Sequence, residues 1–149
     1  MAARFLTRID GRNAPVQIPF QVGLSQTINI GDMVQIDPVT KYLILATTDS
    51  TTLVGAAAQA ITTGPVIDPA AVIPVRMFYD SLFRIDYSTA GVKTSFDNTD
   101  RYITKFNLLN EEQIDPDNIV DGQFVVFAFD NINFTVDCYC SINLLKRSD

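Results

Sequence analysis

The chain has 149 residues and a net charge of −6, from 11 basic and 17 acidic residues, with no histidine and no tryptophan. That balance argues against a broadly basic nucleic-acid-binding surface. The lack of histidine removes the usual general base near neutral pH and the commonest zinc ligand. Fifteen of the acids are aspartate and only two are glutamate, beside nine asparagines and four lysines. Aspartate and asparagine favour turns, where the short side chain bonds nearby backbone, whereas glutamate and lysine populate helix faces. A hydrophobic fraction of 47% suits a folded protein with a core of its own. The apolar runs, such as residues 124–129, are too short for a membrane-spanning helix.

The N-terminus opens with three of the seven arginines, Arg4, Arg8 and Arg12, opposed only by Asp10. It has no apolar stretch of signal-peptide length, so the chain is expected to be made and used without export. Residues 1–14 read either as a solvated terminus or as an arm that docks on an acidic partner. In the second case Phe5 and Ile9 are its apolar anchors. Residues 15–149 read as one β domain. Val16, Ile18, Phe20 and Val22 alternate with Gln17, Pro19 and Gln21, and Pro19 marks an edge strand. Residues 31–37, a turn at 38–41 and residues 42–46 read as strand, turn, strand. Residues 47–52 form a loop, and 53–61, with three consecutive alanines, are expected as strand. Strands at 72–79 and 82–87 flank Asp80-Ser81. In the second, Phe83, Ile85 and Tyr87 share one face and Arg84 and Asp86 the other.

Residues 88–99 are loop-like, 101–109 form a strand candidate, and 110–118 hold both glutamates and are the best place for a helical turn or exposed loop. The clearest signal comes last. Residues 122–129 are rich in β-formers. Ile132, Phe134, Val136, Cys138, Cys140 and Ile142 then alternate with polar residues, giving a hairpin about Asp130-Asn131. On this reading Phe134, Val136, Cys138 and Cys140 point inward, and Thr135, Asp137 and Tyr139 point outward or into an interface. Residues i and i+2 of a strand lie about 6.5–7 Å apart, at or beyond disulfide reach. Cys138 and Cys140 are therefore expected as buried free thiols. Eight to ten short strands imply an all-β fold, an antiparallel β-sandwich or squashed β-barrel with at most short helices.

No pattern here carries catalysis. Asp97-Asn98-Thr99-Asp100 and Asp115-Pro116-Asp117-Asn118 lack the spacing of a calcium loop and read as turns, as do Asp32 and Asp37 at the ends of a strand. The glycines are isolated, so no phosphate-binding loop is present. No catalytic residue, metal or cofactor is expected, and neither nucleic acid, membrane nor small-molecule substrate is expected as a partner.

The middle of the chain resembles the head-decoration (cement) proteins of tailed bacteriophages. The residues concerned are Gly31-Asp32-Met33-Val34, Leu53-Val54-Gly55-Ala56-Ala57-Ala58, Val72-Ile73-Pro74-Val75-Arg76 and Ser81-Leu82-Phe83-Arg84-Ile85, within residues 28–87. The resemblance implies a non-enzymatic virion protein, assembled in the host cytoplasm, that binds the major capsid protein on the outer surface of the head, often as a homotrimer. Arg4, Phe5, Arg8, Ile9 and Arg12 are then the expected capsid-docking residues, and Leu82 and Phe83 are expected around the trimer axis. Two other readings stand beside it: another virion β-module, such as a head-fibre base, tail or receptor-binding domain, and a non-viral β-sandwich binding module. Exposed rings at Phe78, Tyr79, Tyr87 and Tyr102 are the expected mark of a sugar-facing module.

Overall fold

Period-two alternation sets which side chains are buried, and aspartate-led turns set where the chain reverses. The computed structural model describes residues 3–141. The chain runs through β1 (Ala3–Arg8), β2 (Gln17–Gln21), β3 (Thr27–Ile28), β4 (Met33–Ile36), β5 (Leu43–Leu45), β6 (Leu53–Ala57) and β7 (Ile61–Thr62). It continues through β8 (Val72–Met77), β9 (Ser81–Tyr87), a 3-10 turn at Asn98–Asp100, β10 (Lys105–Phe106), β11 (Gln113–Ile114), β12 (Phe124–Asp130) and β13 (Thr135–Cys140). The fold is all-β, built from antiparallel sheets packed on one another, with one parallel pairing of β11 on β9.

The first sheet has the order β2-β8-β6-β4-β5. It rolls up on itself, because a bridge joins Val22, just past β2, to Leu43 of β5, and the Gly23 N–H donates to the Leu43 carbonyl at 2.9 Å. Inside lie Val34, Val54, Ala57, Ile73, Val75 and Met77, with Ile28 and Ile61 of the short β3–β7 pair packed against them. Pro19, on the edge strand β2 as expected, lies opposite Pro74. Pro74 accepts from the Ala58 N–H but has none to return, and β6 ends one residue before, at Ala57.

The second sheet has the order β1-β9-β13-β12-β10. Its inner residues, among them Phe83, Ile85, Tyr87, Phe124, Val126 and Val136, pack against Met33, Leu53 and Ala56 on the outside of the rolled sheet. The rings meet edge-to-face: Phe78 on Phe83 at 4.9 Å, Phe78 on Phe124 at 5.5 Å and Tyr87 on Phe96 at 4.8 Å. Cys138 and Cys140 are both buried in this layer, and burial pushes the Cys138 thiol well up.

Several expectations need correction. Residues 3–8, read as part of an arm, form β1 and pair with β9, so Arg4 lies opposite Arg84 and Phe5 opposite Phe83. The last hairpin turns two residues later than expected. The Asp130 carboxylate accepts from the N–H groups of Ile132 and Asn133, and Phe134 takes a left-handed φ of 56°. Phe134 is therefore 45% exposed in the turn, while Thr135 is buried. Ile142 lies outside the described residues. The segment 101–109 keeps only β10 as strand. Residues 110–118 form β11 and loop, and the helical turn falls instead at Asn98–Asp100, capped by Asp97. Phe83 lies in its own chain's core and leaves only its neighbour Leu82 toward the outside.

Two experiments check this packing. Phe83→Ala should cost about 3–5 kcal/mol in urea unfolding, against about 1 kcal/mol for Phe134→Ala. Gly55→Ala should cost about 1–3 kcal/mol, because a Cβ there would sit 2.0 Å from the Arg76 carbonyl oxygen. Separately, Cys138 and Cys140 should resist a thiol reagent in the native protein and label together once urea unfolds it. Fast native labelling would contradict their burial.

Candidate functional site

Because Phe83, Ile85, Val136, Cys138, Phe124 and Val126 face inward, the alternate residues of the same strands form the outer face of the second sheet. Arg4, Arg84 and Asp137 stand in one row across β1, β9 and β13. Arg84 grips Asp137 with two bonds, Nε to Oδ1 at 2.8 Å and Nη2 to Oδ2 at 3.1 Å. That contact raises the Arg84 pKa from its ordinary value. Both groups remain partly exposed, so the pair contributes no more than about 1 kcal/mol.

The next row is apolar. One step beyond the Cys138–Phe83 pair come Tyr139 and Leu82, and Val125 pairs with both Tyr139 and Lys105. Phe127 alternates with the inward Val126 and so faces out beside this row, at a bulge in β12 between Val126 and Ala128. The Phe127 ring meets Tyr139 at 6.4 Å and Tyr102 at 5.8 Å. The Arg101 guanidinium lies over Tyr102 at 4.6 Å and donates from Nε to the Phe127 carbonyl at 2.7 Å. Three rings and Leu82 thus form an apolar strip on a sheet face, over the buried Val125 and bordered by Arg4, Lys105 and Arg101.

The expected docking residues separate in the structure. Arg4 joins this outer face. Phe5 turns inward and meets Phe83 edge-to-face at 5.9 Å. Arg8 lies opposite Ser81, largely covered, with its Nε buried and without a partner among the described residues. Its Nη2 reaches Asp10 at 3.6 Å. Arg12 shares that aspartate at 3.4 Å and is exposed, as is Ile9. Of the four rings proposed for a sugar-facing surface, Phe78 and Tyr87 are buried, Tyr79 is half-buried and Tyr102 is exposed. The wet-side position of Tyr139 was readable from the alternation. The place of Phe127 was not, since residues 124–129 are apolar on both faces.

The aspartates act as turn formers. Asp37 accepts from the Val39 and Thr40 N–H groups, and the first of these bonds leads in holding its carboxyl below the usual range. Asp97 is held low first by the Thr99 hydroxyl, and Asp130 first by the Asn133 N–H. Asp115 accepts from the Asp117 N–H at 3.0 Å, so that cluster too is a turn. Asp32 goes the other way. Burial raises its pKa, with Glu112 and Glu111 adding to the rise, although the Asn29 N–H donates to it at 2.9 Å. On the rolled sheet, Gly23, Leu24, Tyr42, Ile44 and Ile67 line an open cavity of about 440 Å³ with Asp37 at its side. Among the described residues no group of three or more cysteine, aspartate or glutamate side chains is placed to hold a metal ion, and no helix is long and apolar enough to cross a membrane.

No protein-family model matches the chain, and no curated protein matches it.

The carboxylates give a pH prediction with two signs. Asp37, Asp97 and Asp130 stabilise the fold while ionised, so their contribution is lost as pH falls through their lowered values, below the ordinary 3.8. Asp32 binds its proton more tightly in the folded state, so its contribution is lost as pH rises above 3.8. In urea midpoints measured from pH 3 to pH 7, Asp32→Asn should gain on the parent protein as pH rises. Parallel curves for the two proteins would contradict the assignment.

Proposed function

We propose that this chain is a structural virion protein that binds the outer surface of a phage head and braces it. The observation that carries the reading is where the resembling segments lie. Residues 33–36, 53–57 and 72–77 are β4, β6 and β8, hydrogen-bonded neighbours in one sheet, and 81–85 open β9 directly after it. Words scattered over some fifty residues of sequence therefore make one continuous scaffold. A cement protein needs a rigid frame with many short turns and a face that complements its support. Mutually covered sheets supply the frame, and the outer face of the second sheet is the docking surface in this reading. The support is the major capsid protein, and of the N-terminal residues Arg4 lies on this face, while Ile9 and Arg12 stay exposed for docking beside it. A homotrimer on the head belongs to the same reading.

The test is co-sedimentation of the purified chain with assembled heads of the virus that encodes it, followed by native mass measurement of the released protein. Saturable binding that raises the temperature at which heads lose their DNA is the expected result. A protein that stays in the supernatant at saturating concentration would overturn the reading, and a released monomer would overturn the trimer.

A further inference from the structure

We infer that the outer face of the second sheet docks an acidic protein surface with an apolar centre. The inference rests on the reading of the chain as a docking protein and adds the chemistry of its partner. The face carries four cations, Arg4, Arg84, Arg101 and Lys105, against three carboxylates, Asp86, Asp130 and Asp137. Asp130, at the border, is turned into its own hairpin. The chain as a whole is at −6, so this face is locally inverted in sign. Arg84 is satisfied by Asp137, and no carboxylate among the described residues lies within ion-pair reach of Arg4, Arg101 or Lys105.

These three cations, without an ion-pair partner among the described residues, border the strip of Leu82, Tyr139, Phe127 and Tyr102, which covers the buried Val125. An apolar centre with a charged rim suits protein recognition, with the rim setting partner choice and association rate. A two-fold contact of this face with itself would set the same unpaired cations against one another, which argues for a partner of opposite charge rather than a second copy. The aromatic strip also gives the charges something to orient. Arginine and lysine alone would hold any polyanion, whereas rings in the middle favour an apolar centre.

Two measurements test this. The first titrates the full chain with a random glutamate–tyrosine copolymer and follows backbone amide shifts. The second repeats head co-sedimentation with Arg4→Glu/Lys105→Glu, a half-buried and an exposed position outside the core. The copolymer should shift amides of β9, β12 and β13 and bind about tenfold more weakly in ~0.5 M than in ~0.05 M salt. The double variant should lose about tenfold in both assays, and Asp86→Asn should bind about twofold more tightly. Shifts confined to another surface, or a double variant that binds like the parent in both assays, would overturn the inference. If heads bind the parent and the double variant equally, the capsid reading stands and this face is not the docking surface. If the parent takes the copolymer on this face but never binds heads, the capsid reading falls and the face's chemistry stands. A parent protein that self-associates in low salt through these positions, and dissociates in the double variant, would make the occupant a second copy and also overturn the inference.

Discussion

Strand β6 is buried on both faces, and its small residues Gly55, Ala56 and Ala57 let two hydrophobic clusters share it. Leu53 and Ala56 face the second sheet, while Val54 and Ala57 face the interior of the rolled one. Between them, the absent side chain of Gly55 admits the Arg76 backbone, which any Cβ would strike. Close packing leaves no room for larger groups where two layers press on one strand. The run of small residues is therefore the joint of the molecule. Both the closure of the rolled sheet and the seating of the second sheet depend on it.

From that joint the second sheet inherits its orientation. With Met33, Leu53 and Ala56 beneath it, the rings of Phe78, Phe83 and Phe124 interlock edge-to-face, and β9 becomes a central strand flanked by β1, β11 and β13. The long segment 88–121 is held down by two asparagines. Asn131 accepts from the Tyr87 hydroxyl and the Phe96 N–H and donates to the Phe96 carbonyl. Asn107 is buried, bonds the backbone of Asp49 and Val120, and also donates to the Asp49 side chain. Each amide satisfies donors and acceptors that would otherwise be buried unpaired. Irregular chain thus packs over the sheet, tied to it by strand pairing only at the short β10 and β11 and two single bridges among the described residues.

The outer face follows from the same arrangement by default. Once one side of β9, β12 and β13 is committed inward, the alternate residues, Phe127 among them, must look out, and the β12 bulge adds Ala128. Edge protection is shared out differently. The Ala3 N–H donates to Gly31 and the Arg8 N–H to Arg12, so both ends of β1 are occupied by local backbone. A sheet with guarded ends but an open, partly apolar face is suited to face-on contact rather than to strand addition.

The sequence by itself determined the class of fold and most of the strands. The cause is local: alternation at β2, β9 and β13, and aspartate turns such as Asp37 between β4 and β5, act within a few residues. The same local signals placed Val136, Cys138 and Cys140 inward and Pro19 on an edge. Tertiary structure decided what local signals cannot reach. Phe134 alternates correctly for an inward position, yet the Asp130 turn claims it, because two backbone bonds to one carboxylate set the reversal two residues later. Residues 3–8 read as a charged end, yet β9 had an uncovered edge and Phe83 an uncovered ring, and β1 with Phe5 supplies both. The candidate docking face was legible in Tyr139 and Arg4 but not in Phe127, Tyr102 and Lys105. These come together only when β10 pairs with β12, a contact between residues some twenty apart that no sequence period encodes.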